Sequence, residues 1–131
     1  MSRGLLDTSV LIAAESGREL DSAALPDESY ISVVTLAELR AGVLAARDSS
    51  VRARRLATLE AVAVLDALPV DGRAAAEWAR MRVALHEARR RIGVNDLWIA
   101  SVAAANDMPV VSQDRDYEVL AELRLVEVVL V

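Results

Sequence analysis

Short apolar runs alternate along the chain with longer segments in which apolar residues recur every three or four positions. The short runs, several of them rich in β-branched residues, predict strands at residues 3–6, 29–33, 61–68, 108–112 and 125–131. The longer segments predict helices at residues 8–15, 34–46, 50–61, 72–90, 95–107 and 115–121. Strands separated by helices are typical of an α/β sandwich with a central, mostly parallel sheet.

The length and composition predict one domain that spans residues 1–131. Hydrophobic residues make up 54% of the chain, which is enough for a substantial core. No stretch of about 18 uninterrupted apolar residues is present, so we expect no membrane span. The N-terminus lacks the features of a signal peptide, and cysteine is absent, so we expect a cytoplasmic protein.

Missing residue types exclude several kinds of chemistry. All 15 basic residues are arginine, so the chain lacks the lysine that a P-loop nucleotide site or a Schiff base requires. Receiver domains and related phosphatases also use a lysine near the phosphoryl group. With a single histidine, His86, and no cysteine, a thiolate zinc site and a Cys–His dyad are excluded as well. We assign no role to His86 and expect Trp98 in the core.

Acidic residues stand where a parallel sheet would bring them together. Asp7 follows the first predicted strand and Asp114 follows the strand at 108–112, while Glu38 and Asp96 lie in the first turns of helices. Ligands of open α/β sheets bind beyond the carboxyl ends of the strands. Carboxylates gathered there would repel one another, and Mg²⁺ or Mn²⁺, which prefer oxygen ligands, would remove the conflict.

Each acid also has a simpler explanation. Asp7 and Asp96 could be N-caps, because their side chains can accept backbone N–H bonds at a helix start. Asp114 and Asp116 could be turn residues, and Glu38 could be an ordinary solvated helix residue. Spacing alone therefore does not establish a metal site.

Four segments in order resemble the motifs of the PIN-domain nucleases, and most closely those of the VapC-type toxins of bacterial toxin–antitoxin systems. The segments are LLDTSVLI (5–12), ISVVTLAELRAGV (31–43), VNDLWIAS (94–101) and VVSQDRDY (110–117). The resemblance covers nearly the whole chain and implies a PIN-like three-layer α/β/α sandwich. It also implies metal-dependent hydrolysis of RNA, with Mg²⁺ as the cofactor and Mn²⁺ as a substitute.

The resemblance assigns roles to individual residues. The implied catalytic acids are Asp7, Glu38, Asp96 and Asp114. The implied metal ligands are Asp7, Asp96 and either Asp114 or Asp116. The implied supporting residues are Thr8, Ser9, Asn95 and Ser112. Tyr117 stands where phenylalanine is common in the family, a difference that we expect to leave the metal undisturbed.

The resemblance also implies partners. The formal net charge of −5 is the wrong sign for a simple nucleic-acid binder, although two bound Mg²⁺ ions would bring it near neutrality. Folded RNA, such as tRNA or rRNA, would then meet local arginines, the candidates being Arg40, Arg89, Arg90, Arg91 and Arg115. A cognate antitoxin, a C2 homodimer and a toxin–antitoxin hetero-oligomer are implied too. Helices 34–46 and 95–105 agree with this, because they are predicted to present more apolar surface than a small sheet covers.

Two other functions would use the same acids. A structure-specific DNA nuclease could hold its metal in the same way. A non-catalytic module could instead use the acidic cleft to bind a basic partner, without metal or nuclease activity.

Overall fold

The computed structural model describes residues 1–131 and contains four strands, six α-helices and two 3₁₀ turns. The strands are β1 (Arg3–Leu6), β2 (Glu28–Tyr30), β3 (Val110–Ser112) and β4 (Val128–Leu130). The helices are α1 (Thr8–Ser16), α2 (Val33–Ala45), α3 (Ser49–Val62), α4 (Gly72–Glu87), α5 (Val94–Ala105) and α6 (Glu118–Glu122). The 3₁₀ turns are Ser22–Ala24 and Arg115–Tyr117.

The four strands form one parallel sheet in the order β2-β1-β3-β4. In its register, Leu5 of β1 lies beside Tyr30 of β2 on one side and Val110 of β3 on the other. The two central strands, β1 and β3, pack closely at Gly4 of β1. A Cβ at that position would lie only 2.6 Å from Cγ2 of Val111. Because β1 and β3 are parallel neighbours, their carboxyl ends lie side by side at the middle of the sheet.

Helices cover both faces of this sheet and form two apolar clusters. The larger cluster joins Leu5 and Val110 to α4, α5 and α6. The smaller cluster joins Leu6 and Val111 to α1, α2 and α3. Successive strand residues thus point to opposite layers, as the strand period of two requires, and the predicted three-layer α/β/α sandwich is confirmed.

The predicted strand at 61–68 is wrong. Helix α3 continues to Val62, whose side chain is buried in the smaller cluster, and a turn follows it. Only Leu68 makes a strand-like contact, an isolated bridge to Ser32 in which its backbone N–H donates to Ile31 O at 2.8 Å. The alternating apolar residues of this segment resemble a strand, but Val64 is 83% exposed.

Helix boundaries differ modestly from the prediction. Helix α4 ends at Glu87 and not at residue 90, because Arg89 adopts a left-handed backbone with φ of 56° and the Arg90 N–H returns to Leu85 O. Beyond its first turn, where Val94 and Asn95 are exposed, helix α5 is mostly buried between α4 and the sheet, so the surplus of apolar surface predicted for residues 95–105 is wrong. Helix α2 does leave apolar surface exposed, at Val33 and Leu44. No helix in the structure has the length and apolar character needed to span a membrane.

Candidate metal centre

Asp7 joins β1 to α1 and is almost completely buried, with 4% of its surface exposed. Its Oδ2 accepts hydrogen bonds from Ser112 Oγ at 2.9 Å and from the Ser9 N–H at 3.3 Å. Its Oδ1 accepts one from the Tyr117 hydroxyl at 2.9 Å. The N-cap interpretation is confirmed, but a cap needs only one oxygen. Three donors directed at both oxygens indicate that the carboxylate is held in a fixed orientation.

Asp96 lies in the first turn of α5, where Gly93 is the N-cap, so the N-cap interpretation of Asp96 is wrong. Its Oδ1 accepts a hydrogen bond from the Tyr117 hydroxyl at 3.2 Å. Burial raises the pKa of Asp96 to about 6, and the negative charges of Asp7, Asp114 and Glu38 contribute to that rise. The carboxylates are therefore close enough for each to make the ionised form of Asp96 less favourable.

Glu38 reaches the same edge from the second turn of α2. Its Oε1 accepts a hydrogen bond from Thr8 Oγ1 at 2.7 Å, and Thr8 Oγ1 also lies 3.0 Å from Thr35 Oγ1. Both threonines are buried. The interpretation of Glu38 as an ordinary solvated residue is wrong, because its carboxylate is tied to the interior.

Asp114 caps the 3₁₀ turn after β3, and its Oδ1 accepts the Asp116 N–H at 2.8 Å. The turn interpretation of this segment is therefore confirmed. Asp114 is partly buried and contributes to the raised pKa of Asp96, whereas Asp116 is exposed and makes no such contribution. Of the two alternatives, Asp114 faces the other acids.

Ser112 connects the first and last acidic segments. Its fully buried Oγ donates to Asp7 Oδ2, accepts the Asp114 N–H at 2.9 Å and lies 3.1 Å from Ser9 Oγ. Of the supporting residues expected from the sequence, Thr8, Ser9 and Ser112 thus contact the acids. Asn95 is exposed, and its side chain makes no hydrogen bond. It lines a groove next to Glu38.

Tyr117 is the residue that sequence reasoning missed. Its side chain is completely buried, and its hydroxyl contacts Asp7 and Asp96 together. Burial raises the pKa of Tyr117 above its ordinary value, and the two neighbouring negative charges raise it further. A buried tyrosine needs a partner for its hydroxyl. The sequence offered one indication of this contact: residue 117, next to predicted ligands, is a tyrosine where the family commonly has a phenylalanine.

The acidic edge contains no basic side chain that neutralises it. The three ion pairs of the structure lie elsewhere and join Arg80 to Glu77, Arg90 to Glu122 and Arg115 to Glu118. No three carboxylates form a ready-made set of ligands around one point. The donors are all oxygens, however, and Mg²⁺ commonly binds through one or two carboxylates and completes its shell with water. The residues present therefore fit a hard divalent cation.

A basic cavity of about 610 Å³ lies between the end of α4 and the start of α5. Its charged and aromatic lining residues are Trp78, Arg82, His86, Arg89, Arg90 and Arg91. Val94 and Leu97 also line it, and Asp96 lies between them in sequence. The other predicted RNA contacts do not line this cavity: Arg40 is exposed on α2, and Arg115 pairs with Glu118. Arg82 and His86 were not predicted as part of it.

The two tryptophans stack on each other beside this cavity. The Trp78 and Trp98 rings have centroids 5.0 Å apart and an interplanar angle of 17°. Trp98 is half-buried, so its predicted place in the core is correct only in part. The Trp78 indole N–H is buried and has no hydrogen-bond partner.

The chain is similar to known proteins over most of its length. The sequence matches the PIN domain over residues 4–123. It is 56% identical to Ribonuclease VapC5 of Mycobacterium tuberculosis over 126 residues, which cover 96% of this chain and 93% of the relative. It is 36% identical to Ribonuclease VapC4 of the same organism, with 96% and 97% covered. The structure matches a chain of the VapBC-5 toxin–antitoxin system from M. tuberculosis with a TM-score of 0.93 and 52% identity, covering 100% of both. The chain therefore belongs to the PIN-domain family and, within it, to the VapC ribonucleases.

Proposed function

We propose that this protein is the toxin of a toxin–antitoxin pair and cleaves RNA with Mg²⁺ bound at the carboxyl edge of its sheet. The observation that carries the proposal is the convergence of Asp7, Glu38, Asp96 and Asp114 without a basic side chain. Burial and the neighbouring negative charges together raise the pKa of Asp96 to about 6. When no cation is bound, burial and repulsion among these carboxylates favour a proton on Asp96. A bound cation would remove that repulsion. Mn²⁺ would be a substitute, since it prefers the same oxygen ligands.

Asp7, Asp96 and Asp114 would hold the cation, and Glu38 would contact it directly or through water. The bound ion would make an attacking water more acidic and stabilise the charge that develops on the phosphate. Ser112 and Thr8 keep Asp7 and Glu38 in place through hydrogen bonds of 2.9 and 2.7 Å.

Glu38 would help to take the proton from the attacking water. Its Oε1 is bonded to Thr8, while its Oε2 makes no hydrogen bond and is available as a base. A base must reach the water within hydrogen-bonding distance, and Glu38 lines an open groove beside the site. Hydrolysis would leave a 5′-phosphate and a 3′-hydroxyl, without any role for His86.

RNA would lie across the basic cavity and reach the acids through the start of α5. Arg89 and Arg91 form no ion pair and can contact phosphates, whereas Arg90 already pairs with Glu122. Trp78 and Trp98 stack on each other, and the chain has only two other aromatic residues, so base stacking contributes little. Shape recognition of a folded RNA, such as tRNA or rRNA, agrees with this surface.

An antitoxin would bind the apolar groove beside Glu38, and inhibit the enzyme by covering the acids. The groove is lined by Val33, Val34, Ala37, Ala41 and Asn95 together with Glu38, so a partner with apolar residues and one basic side chain would fit it. The matched structure belongs to a toxin–antitoxin complex. We also propose a homodimer, toxin–antitoxin hetero-oligomers and a cytoplasmic location.

The first test is cleavage of total cellular RNA, with the ends mapped. Wild type, Asp96→Asn and Glu77→Gln are each assayed with Mg²⁺, with Mn²⁺ and with EDTA. Glu77 is a matched control because it is a carboxylate far from the acidic edge. It pairs with Arg80 and lies near Asp107 and Met108, which precede β3 at the opposite end of that strand.

We expect metal-dependent cleavage at discrete sites by wild type and Glu77→Gln, and none by Asp96→Asn. Equal cutting by all three proteins would mean a contaminating nuclease. Cleavage of flapped DNA but not RNA would support the DNA nuclease instead. Binding of a basic peptide without any cleavage would leave the acidic cleft as a docking site.

A further inference from the structure

The Tyr117 hydroxyl is placed between two of the proposed metal ligands. It lies 2.9 Å from Asp7 Oδ1 and 3.2 Å from Asp96 Oδ1. The phenol ring is fully buried in the larger core cluster, where Leu97, Val119 and Leu120 also lie. Packing on that scale leaves the ring few alternative positions, so the position of the hydroxyl is set by the core.

The two carboxylates depend on this hydroxyl to different degrees. Asp7 keeps its other oxygen bonded to Ser112 Oγ and the Ser9 N–H, so its orientation is secured without Tyr117. Asp96 accepts no side-chain hydrogen bond except the one from Tyr117.

Gly93, the N-cap of α5, leaves room beside the carboxylate of Asp96 because it has no side chain. A Cβ placed on Gly93 would lie 3.2 Å from Asp96 Oδ2 and 3.7 Å from its Cγ. No side chain at residue 93 therefore holds the carboxylate in place, and its one side-chain hydrogen bond is the one from the phenol. A phenylalanine at residue 117 would keep the ring but remove the only donor to Asp96.

We propose that Tyr117 is a positioning residue that fixes Asp96 relative to Asp7 so that both can bind one cation. This inference rests on the proposed metal-dependent function and adds a residue to it. Hydrogen-bond partners of metal ligands orient the ligand and typically contribute 10–100-fold to metal affinity. Because Asp96 has a single such partner, we expect the loss of that hydroxyl to weaken cation binding markedly.

The test compares Tyr117→Phe with Tyr30→Phe, which removes the hydroxyl of the only other tyrosine. Tyr30 lies on the outer strand β2, and its hydroxyl donates to Glu28 Oε2 at 3.2 Å. Mn²⁺ affinity is measured by calorimetry on the folded protein without RNA. We expect Tyr117→Phe to lose about tenfold or more in affinity, and Tyr30→Phe to match wild type.

A third variant separates positioning from packing. Val119→Ala shortens a buried side chain two residues from Tyr117 and should lower thermal stability without changing Mn²⁺ affinity. If Val119→Ala weakens Mn²⁺ binding as much as Tyr117→Phe, the role of Tyr117 is packing alone. Unchanged or tighter Mn²⁺ binding by Tyr117→Phe would also overturn the assignment, since the hydroxyl would then be idle or would compete with the cation.

A measurement on wild type does not depend on the folding of any variant. Protein labelled with ¹³C at the tyrosine Cζ gives two signals, and Mg²⁺ titration should shift that of Tyr117 and leave that of Tyr30 in place. If Mg²⁺ binds but neither signal moves, Tyr117 does not act on the site. If wild type binds neither Mg²⁺ nor Mn²⁺, the proposed function itself fails, a result that calorimetry distinguishes from failure of the Tyr117 assignment.

Discussion

The carboxyl edge of the sheet and the cavity between α4 and α5 carry opposite charges that the protein itself does little to neutralise. At the edge, Asp7 and Glu38 accept hydrogen bonds from uncharged hydroxyls. In the cavity, Arg90 pairs with Glu122, while Arg89 and Arg91 have no acidic partner. Neighbouring segments of one chain thus present an uncompensated acidic region and an uncompensated basic region.

The difference shows that net charge alone misrepresents this protein. A formal charge of −5 suggests a surface that repels nucleic acid, yet the basic cavity lies next to the segment that carries Asp96. Elsewhere on the surface acids and arginines do pair, as Glu77 does with Arg80. The separation of charge near the strand ends suits a site that binds both a cation and a polyanion.

Cation binding should produce the largest effect on stability. Saturating wild type with Mn²⁺ at about one hundred times the Kd should stabilise the fold by about 2.7 kcal/mol. For a domain of this size that corresponds to a rise in Tm of roughly 8 °C. Scanning calorimetry with Mn²⁺ and with EDTA measures it, and Asp96→Asn should lose most of the rise. An equal rise in both proteins would place the cation away from Asp96.

The arginines of the basic cavity should contribute a salt-dependent part of the affinity for RNA. Each lost phosphate contact lowers the slope of log K against log salt concentration by about 0.7 on single strands. The double variant Arg89→Ala/Arg91→Ala should therefore lower the slope by about 1.4. Filter binding with EDTA, so that no cleavage occurs, gives the slope. Arg18→Ala/Arg47→Ala is the matched control, and equal losses in both would mean that the cavity contributes only general charge.

Asp96 should make the metal-free protein less stable at neutral pH than at acidic pH. Its folded pKa of about 6 lies above the ordinary value of 3.8, so the folded state binds the proton more tightly than the unfolded chain. The stability provided by the protonated carboxyl is fully present below about pH 4 and is lost as the pH rises through 6.

Asp96→Asn removes this penalty. We expect it to be more stable than wild type by about 1 kcal/mol at pH 7.5 in EDTA, a value reduced by solvent screening of a half-buried group. Urea unfolding at pH 7.5 and pH 4 measures the difference, which should vanish at the lower pH. A variant less stable than wild type at pH 7.5 would contradict the repulsion among the acids.

The exposed ion pairs should contribute least. Glu77→Gln breaks the pair with Arg80, whose side chain is about half exposed, and should cost at most about 0.5 kcal/mol. Urea unfolding of this variant gives the reference against which Asp96→Asn is judged. A cost above about 2 kcal/mol would contradict the expected difference between surface acids that pair with an arginine and the acids at the strand ends, which have no basic partner.

The fold could be predicted from sequence wherever local pattern and tertiary packing agree. Strand β1 and helix α1 begin within a residue of their predicted positions, because Asp7 both ends an apolar run and caps a helix. Prediction failed at 61–68, where alternating apolar residues resemble a strand. The segment does not form a strand of the sheet, because its first residues continue α3 to Val62 and a turn follows, so that only Leu68 bridges to Ser32.

By itself the sequence determined that acids follow the strands and that no thiolate ligand is available, since the chain has no cysteine. It also supplied the resemblance that comparison with known proteins confirmed. Only the tertiary structure separated Asp114 from Asp116, because exposure depends on how the turn after β3 packs. Only it placed the Tyr117 hydroxyl between Asp7 and Asp96. Residues 7, 96 and 117 meet through the packing of β1, α5 and the last 3₁₀ turn, and a contact between such distant positions has no local pattern that could predict it.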